Sequence, residues 1–104
     1  MKRQEILKQL EQTICRERVD VHGKPEDTFA LIADYWSTYL SQESGVDVLI
    51  DSSDVAVMMA LFKIARFQVQ PLHMDNAIDG AGYFVIAGEL VSELSGSDEL
   101  LNER

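Results

Sequence analysis

The chain has 104 residues, 46% of them hydrophobic, with nine basic and eighteen acidic side chains and a net charge of −9. That length makes one domain, expected over residues 1–96 with a flexible tail at 97–104; it buries roughly two thirds of its unfolded surface, so an oligomer that buries more is plausible. So acidic a body repels nucleic acid and excludes a conventional nucleic-acid binder, leaving a carboxylate cluster for divalent cations or an acidic surface for a basic partner.

Other features narrow the class further. No apolar run approaches the roughly 18 residues of a membrane span, so no membrane association is expected. The N-terminal MKRQEILKQLEQ is charged and lacks the apolar segment of a signal peptide. The lone Cys15 supplies neither a disulfide framework nor a metal cluster and reads as a semi-buried helix residue. Together these predict a cytoplasmic protein.

In chain order, Ile6, Leu7, Leu10 and Ile14 form one stripe and predict a helix over residues 2–18. A break follows at Val19–Lys24. Pro25 suits a first helical turn, and Glu26 and Asp27 behind it suit the helix dipole. That second helix is expected over 25–41, with Phe29, Ile32, Trp36 and Tyr39/Leu40 as its apolar stripe and Asp27, Asp34 and Thr38 on a wet face. Gly45 falls in the next loop, and Asp47–Ile50 reads as loop because no second strand exists to pair with it. Asp51, Ser52 or Ser53 caps a third helix over 53–69, ended by Pro71. A fourth helix covers 74–94, ended by Ser95-Gly96-Ser97. The fold class expected is all-α, an up-and-down bundle of four helices.

The stretch Ser53–Tyr83 holds the unusual chemistry. Eight apolar residues, Val55 to Phe62, run directly into Lys63 and Arg66, the only basic residues between Pro25 and Glu103. At 100° per residue Asp54, Met58, Leu61, Ala65 and Val69 share one stripe, and Met59, Lys63 and Arg66 lie nearly opposite. Partners for the two cations must therefore come from another element, and Asp75 and Asp79, at i, i+4 on the fourth helix, are the obvious donors. One outcome is a salt-bridge lattice between the last two helices. The other is a site in which carboxylates bind Mg²⁺ and the cations bind phosphate.

The fourth helix also carries Ala77, Gly80, Ala81, Gly82, Ala87 and Gly88. Each glycine costs up to about 1 kcal/mol of helix propensity relative to alanine, which implies close approach by neighbouring elements. Its apolar residues span more than half the circumference, so cover on two sides is expected, one of them possible from a second subunit. His73 reads as a capping or surface residue, Trp36 and Tyr39 as core, and Glu89 and Glu93 as a solvated face. With no Cys or second His at ligand spacing, zinc is not expected.

The ordered set His22-Gly23-x-Pro25, Phe29-x-x-Ile32-Ala33-x-x-Trp36-Ser37-x-Tyr39-Leu40, Asp54-Val55-Ala56, Met59, Lys63-x-Ala65-Arg66, and Asp75-Asn76…Asp79-x-Ala81-Gly82-Tyr83 resembles a phage and prophage family of small domains of unknown function. The match spans roughly residues 17–90. That family is in turn distantly similar to the MazG-like all-α nucleotide pyrophosphohydrolases. The wider resemblance implies a helical bundle, usually dimeric or higher, whose acidic side chains bind Mg²⁺ and which cleaves nucleoside triphosphates between the α and β phosphates.

Carried over by residue, Asn76-x-x-Asp79 or Asp75-x-x-x-Asp79 takes the place of the second acidic motif, and Asp54 begins the first. The implied metal ligands are Asp54, Asp75 and Asp79, with Lys63, Arg66, Asn76 and Tyr83 on the nucleotide and a homodimer as the assembly. One turn on from Asp54, however, stand Val57 and Met58, where a metal site needs a second carboxylate. The alternative is a non-enzymatic acidic phage accessory protein that binds and inhibits a basic host nucleic-acid-binding factor. Residues 25–103, with fourteen acidic and two basic side chains, motivate it.

Overall fold

The computed structural model describes residues 1–17 and 25–95. Their elements are α1 (Arg3–Gln12), a π-helical turn (Thr13–Glu17), α2 (Pro25–Ser44), α3 (Ser52–Val69) and α4 (Asp75–Ser95). The described residues contain four helices and no strand, as the periodicity predicts. The expected first helix is shorter in α-form than 2–18, because its last turn widens to π geometry. The Val19–Lys24 break, His22 and the 97–104 tail lie outside the described residues.

Local chemistry explains the boundaries. Gly45 takes φ +76 after α2, and its N–H donates to the Ser41 carbonyl at 3.0 Å, the left-handed closure that glycine permits at a helix C-terminus. Asp51 caps α3 through a reciprocal box. Its carboxylate accepts from the Asp54 N–H at 3.0 Å and from the Ser53 hydroxyl at 2.6 Å, while the Asp54 carboxylate accepts from the Asp51 N–H at 3.0 Å. The Ser53 hydroxyl, then the Asp54 amide, hold the Asp51 carboxyl below its ordinary value.

The Asp47–Ile50 segment is a loop whose polar backbone is satisfied from α2. The Ile50 N–H donates to Ser37 Oγ at 2.8 Å, and that hydroxyl donates to the Ile50 carbonyl at 3.2 Å. Ser41 serves Val48 in the same way, at 2.9 and 3.2 Å. Two serines one turn apart thus supply what a neighbouring strand would otherwise provide.

The five residues Gln70–Met74 return the chain, so α3 and α4 pack as a hairpin along most of their lengths. Phe29 and Ala33 of α2 close one side of it, meeting Val55, Ala56, Tyr83 and Leu90 in the core; Ile32 and Trp36 pack at its edge. Tyr39, expected in that stripe, is exposed instead, because it is rotated about 100° from Leu40, which stays half-buried on the inward side of α2. On the other side α1 lies on α4 with Leu10 buried. Two of the three α4 glycines have the role expected of them, since a Cβ on Gly82 would sit 2.7 Å from Ile14 Cγ2 and one on Gly80 would sit 3.3 Å from Lys63 Cβ; Gly88 does not, because a Cβ there would meet nothing within 4 Å. Cys15, expected to be semi-buried, is exposed, since it follows Ile14 by one residue and points away from the side that Ile14 turns to α4.

Candidate functional site

The helical phase of α3 decides the site. Its inward side carries Val55, Ala56, Met59, Ala60 and Lys63, and its outward side carries Val57, Met58, Leu61, Phe62 and Ile64. A lysine therefore points into the bundle while an apolar stripe points out. Lys63 Nζ lies 3.1 Å from Asp79 Oδ2, each side chain less than one fifth exposed. That is the contact with the fourth helix that the sequence demanded, and burial of both stems makes it stiffer than a surface pair.

Around this pair, α4 places Asn76 and Tyr83 at i−3 and i+4 from Asp79. Both are buried. The Tyr83 ring packs on Phe29 with centroids 6.1 Å apart and a 38° tilt. Asn76 is 2% exposed, and neither its amide nitrogen nor its amide oxygen has a hydrogen-bond partner. An amide in that state costs about 1–3 kcal/mol relative to a paired one, so a ligand that engaged it would recover that energy. Lys63, Asp79, Asn76 and Tyr83 thus share one seam between α3 and α4.

The remaining candidates lie elsewhere. Arg66 is exposed, with its guanidinium carbon 5.7 Å from the Phe62 ring centroid, and meets no carboxylate at ion-pair distance among the described residues. Asp75 is exposed beside His73, whose Nε2 lies 3.6 Å away. Asp54 is occupied in the capping box nine residues before Lys63, roughly 13 Å along the helix axis at 1.5 Å per residue. Asp27, Asp34, Glu89 and Glu93 are exposed, as expected of solvated faces. Among the described residues, no three His, Cys, Asp or Glu side chains gather at metal-ligating distance. The donor set that the MazG resemblance implies, Asp54 with Asp75 and Asp79, therefore does not fit a Mg²⁺ centre within one chain.

Sequence reasoning missed a second feature, an open groove of about 470 Å³ on the outer side of the hairpin. Val57, Leu61, Ile64, Phe67, Ala81 and Phe84 line it, with Asn76 and Gly80 also contributing. The signal was present at helical spacing in Ala77, Ala81, Phe84, Gly88 and Val91, a stripe of α4 without a charge. None of the described helices is long and apolar enough to cross a membrane.

The molecule is thus a small all-α bundle with one buried polar seam and one open apolar face. The chain belongs to the family described as domain of unknown function DUF6378, whose model matches residues 5–91. It is also 38% identical over 78 residues to the Gene 55 proteins of Mycobacterium phages L5 and D29. The matched region covers 75% of this chain and 47% and 48% of theirs. The chain therefore spans about half the length of the curated relatives it matches. These findings bear out the resemblance to a phage family of unknown function. No solved structure matches the chain.

Proposed function

We propose that the chain binds a nucleotide at the α3–α4 seam, as a non-hydrolytic relative of the MazG-like pyrophosphohydrolases. The observation that carries this reading is the Asn76 amide, buried with both polar atoms unpaired, three residues before the Lys63–Asp79 pair. In this reading phosphate oxygens compete with Asp79 for the Lys63 ammonium, whose attraction is strengthened by partial burial. The Asn76 amide supplies a donor and an acceptor to the nucleotide, and Tyr83, held by Phe29, fixes the wall between them. Arg66 serves as an outer cation.

The test is thermal unfolding with a panel of dNTPs, with and without Mg²⁺, together with a pyrophosphate-release assay. At a hundredfold excess over Kd a bound nucleotide stabilises by about 2.7 kcal/mol. We expect that shift to shrink sharply in Lys63→Met and to come without pyrophosphate release. If no nucleotide moves the melting temperature, the reading fails. Pyrophosphate release abolished by Asp79→Ala would instead establish the hydrolytic form.

A second reading, that of an acidic accessory protein docking on a basic host nucleic-acid-binding factor, is favoured by the exposure of Asp27, Asp34, Glu43, Asp47, Glu89 and Glu93. Salt-sensitive capture of such a factor from host lysate would support it, and an empty pull-down counts against it.

A further inference from the structure

We infer that the outer α3–α4 groove binds an uncharged, largely apolar small molecule that ends in a carboxamide or lactam edge, with the Asn76 amide as its one polar anchor. This goes beyond the nucleotide reading. It shares Asn76 with that reading but uses neither Lys63 nor Asp79, so the two can fail separately.

The groove has the size and chemistry of a small-molecule site. Its volume of about 470 Å³ falls among ligand pockets, which are mostly apolar with a few polar groups that fix orientation. Val57, Leu61, Ile64, Phe67 and Phe84 supply the apolar wall, and Asn76 is the one polar side chain in the lining. Asn76 and Phe84 stand eight residues apart on α4, so the lined stretch of that helix is roughly 12 Å long. That length suits a short chain or a pair of small rings anchored at the Asn76 end, beside the α3–α4 turn.

The buried amide selects the ligand's polar group. Asn76 Nδ2 and Oδ1 are unpaired and neither reaches solvent, so water does not satisfy them. A donor and an acceptor side by side are matched by the same pair reversed. A primary carboxamide has it, and so does a lactam, whose ring holds N–H and C=O on one side; either closes a ring of two hydrogen bonds with Asn76. A trans secondary amide points its N–H and C=O in opposite directions and makes only one. To reach the amide a ligand must turn lining side chains aside, and Ile64 and Phe67, about half exposed, have solvent on one side to turn into.

Other occupants match less well. A carboxylate offers acceptors alone and leaves Oδ1 unpaired. It also meets a groove without a cation on a chain of net charge −9. A phosphate meets the same repulsion, because Lys63 points to the inner side of the hairpin, toward Asp79. A helix laid in the groove has its own backbone groups paired internally and would seal the Asn76 amide in without a partner.

The experiment titrates octanamide into the ¹⁵N-labelled full chain and follows the Asn76 side-chain NH₂ resonances, with N,N-dimethyloctanamide, which lacks the N–H donor, as the comparison. At the efficiency usual for so small a ligand, octanamide should bind with a Kd on the order of 1 mM or below. It should bind roughly tenfold more tightly than the dimethyl compound, the effect of one hydrogen bond to a buried acceptor. Asn76→Leu keeps the volume and removes the unpaired amide, so it should fold and lose that preference. Ala81→Trp fills the groove from an exposed position and should abolish binding with Asn76 in place. Lys63→Met should leave octanamide binding unchanged. No shift of the Asn76 resonances at about ten times the expected Kd overturns the inference. So do equal binding of the two amides, a preference that survives Asn76→Leu, binding that survives Ala81→Trp, or loss of binding in Lys63→Met. Nucleotide binding without octanamide binding overturns this inference alone, and octanamide binding without any nucleotide binding overturns only the nucleotide reading.

Discussion

Two glycines on the same helix should respond to alanine with opposite signs. A Cβ on Gly82 would lie 2.7 Å from Ile14 Cγ2 and 3.3 Å from Leu10 Cδ1, whereas one on Gly88 would meet nothing within 4 Å. Neither position has a positive φ, so alanine is free of backbone strain at both. Removing a helix-interior glycine gains about 0.5–1 kcal/mol through the unfolded chain. Gly88→Ala should realise that gain and raise the melting temperature by roughly 2–8 °C for a domain of this size.

At Gly82 the same gain meets an overlap of about 1 Å against a comfortable carbon–carbon contact of about 3.5–4.0 Å. Ile14 is β-branched and Leu10 is buried, so relief requires α1 to lift from α4. Overpacking of this kind costs about 1–3 kcal/mol, which leaves Gly82→Ala neutral to about 2 kcal/mol destabilised. The assay is thermal and urea unfolding followed by circular dichroism at one fixed protein concentration, because association would shift both curves. Ile14→Ala removes the clashing methyl, so Gly82→Ala should be less harmful in that background. Equal stabilisation by the two alanines, or strict additivity with Ile14→Ala, would refute the docking of α1 against Gly82.

Two further perturbations address the polar residues. Replacing Asp79 by Ala leaves the Lys63 ammonium short of its 3.1 Å partner at a site less than one fifth exposed. A loss of roughly 1–3 kcal/mol is expected, between the surface and buried limits, and a double-mutant cycle with Lys63→Met should recover part of it as coupling. Asp51→Ala should cost about 1 kcal/mol at pH 7 through loss of the α3 cap. Because Ser53 and Asp54 lower the Asp51 pKa on folding, its contribution is complete above the ordinary carboxylate value of 3.8. It fades as pH falls through the lowered one, so the gap between variant and wild type should narrow in acid. A gap that widened there would contradict the cap.

Much of the fold was legible because periodicity and end signals are local. The Phe29–Trp36 stripe, Pro25 at the start of α2, the Asp51 cap and Pro71 after α3 each fix an element with neighbouring residues alone. Helical phase also showed that Lys63 needed a partner from outside its own helix, and Asp79 is that partner. The spacing of Ser37 and Ser41 did not disclose that they satisfy the loop at Val48 and Ile50, since that contact depends on the α2–α3 turn bringing the loop back.

Tertiary structure alone decided which side of α3 is inside. Helical phase set Lys63 nearly opposite the Leu61 stripe without deciding which of the two faces the bundle; the bundle takes the Lys63 side and leaves Leu61 and Ile64 exposed. The reason is packing distance: Ala56, Ala60 and Gly80 let α3 and α4 approach closely, and the long Lys63 stem fills the remaining space beside Asp79. The larger side chains Leu61, Ile64 and Phe84 are thereby excluded from the seam. The sequence by itself determined four helices, an acidic surface and a cation in search of a carboxylate. Only the tertiary arrangement separated Asp54 from Asp79, left Asn76 without a partner and turned an apolar face outward, because each depends on how closely two helices can approach rather than on the pattern along either one.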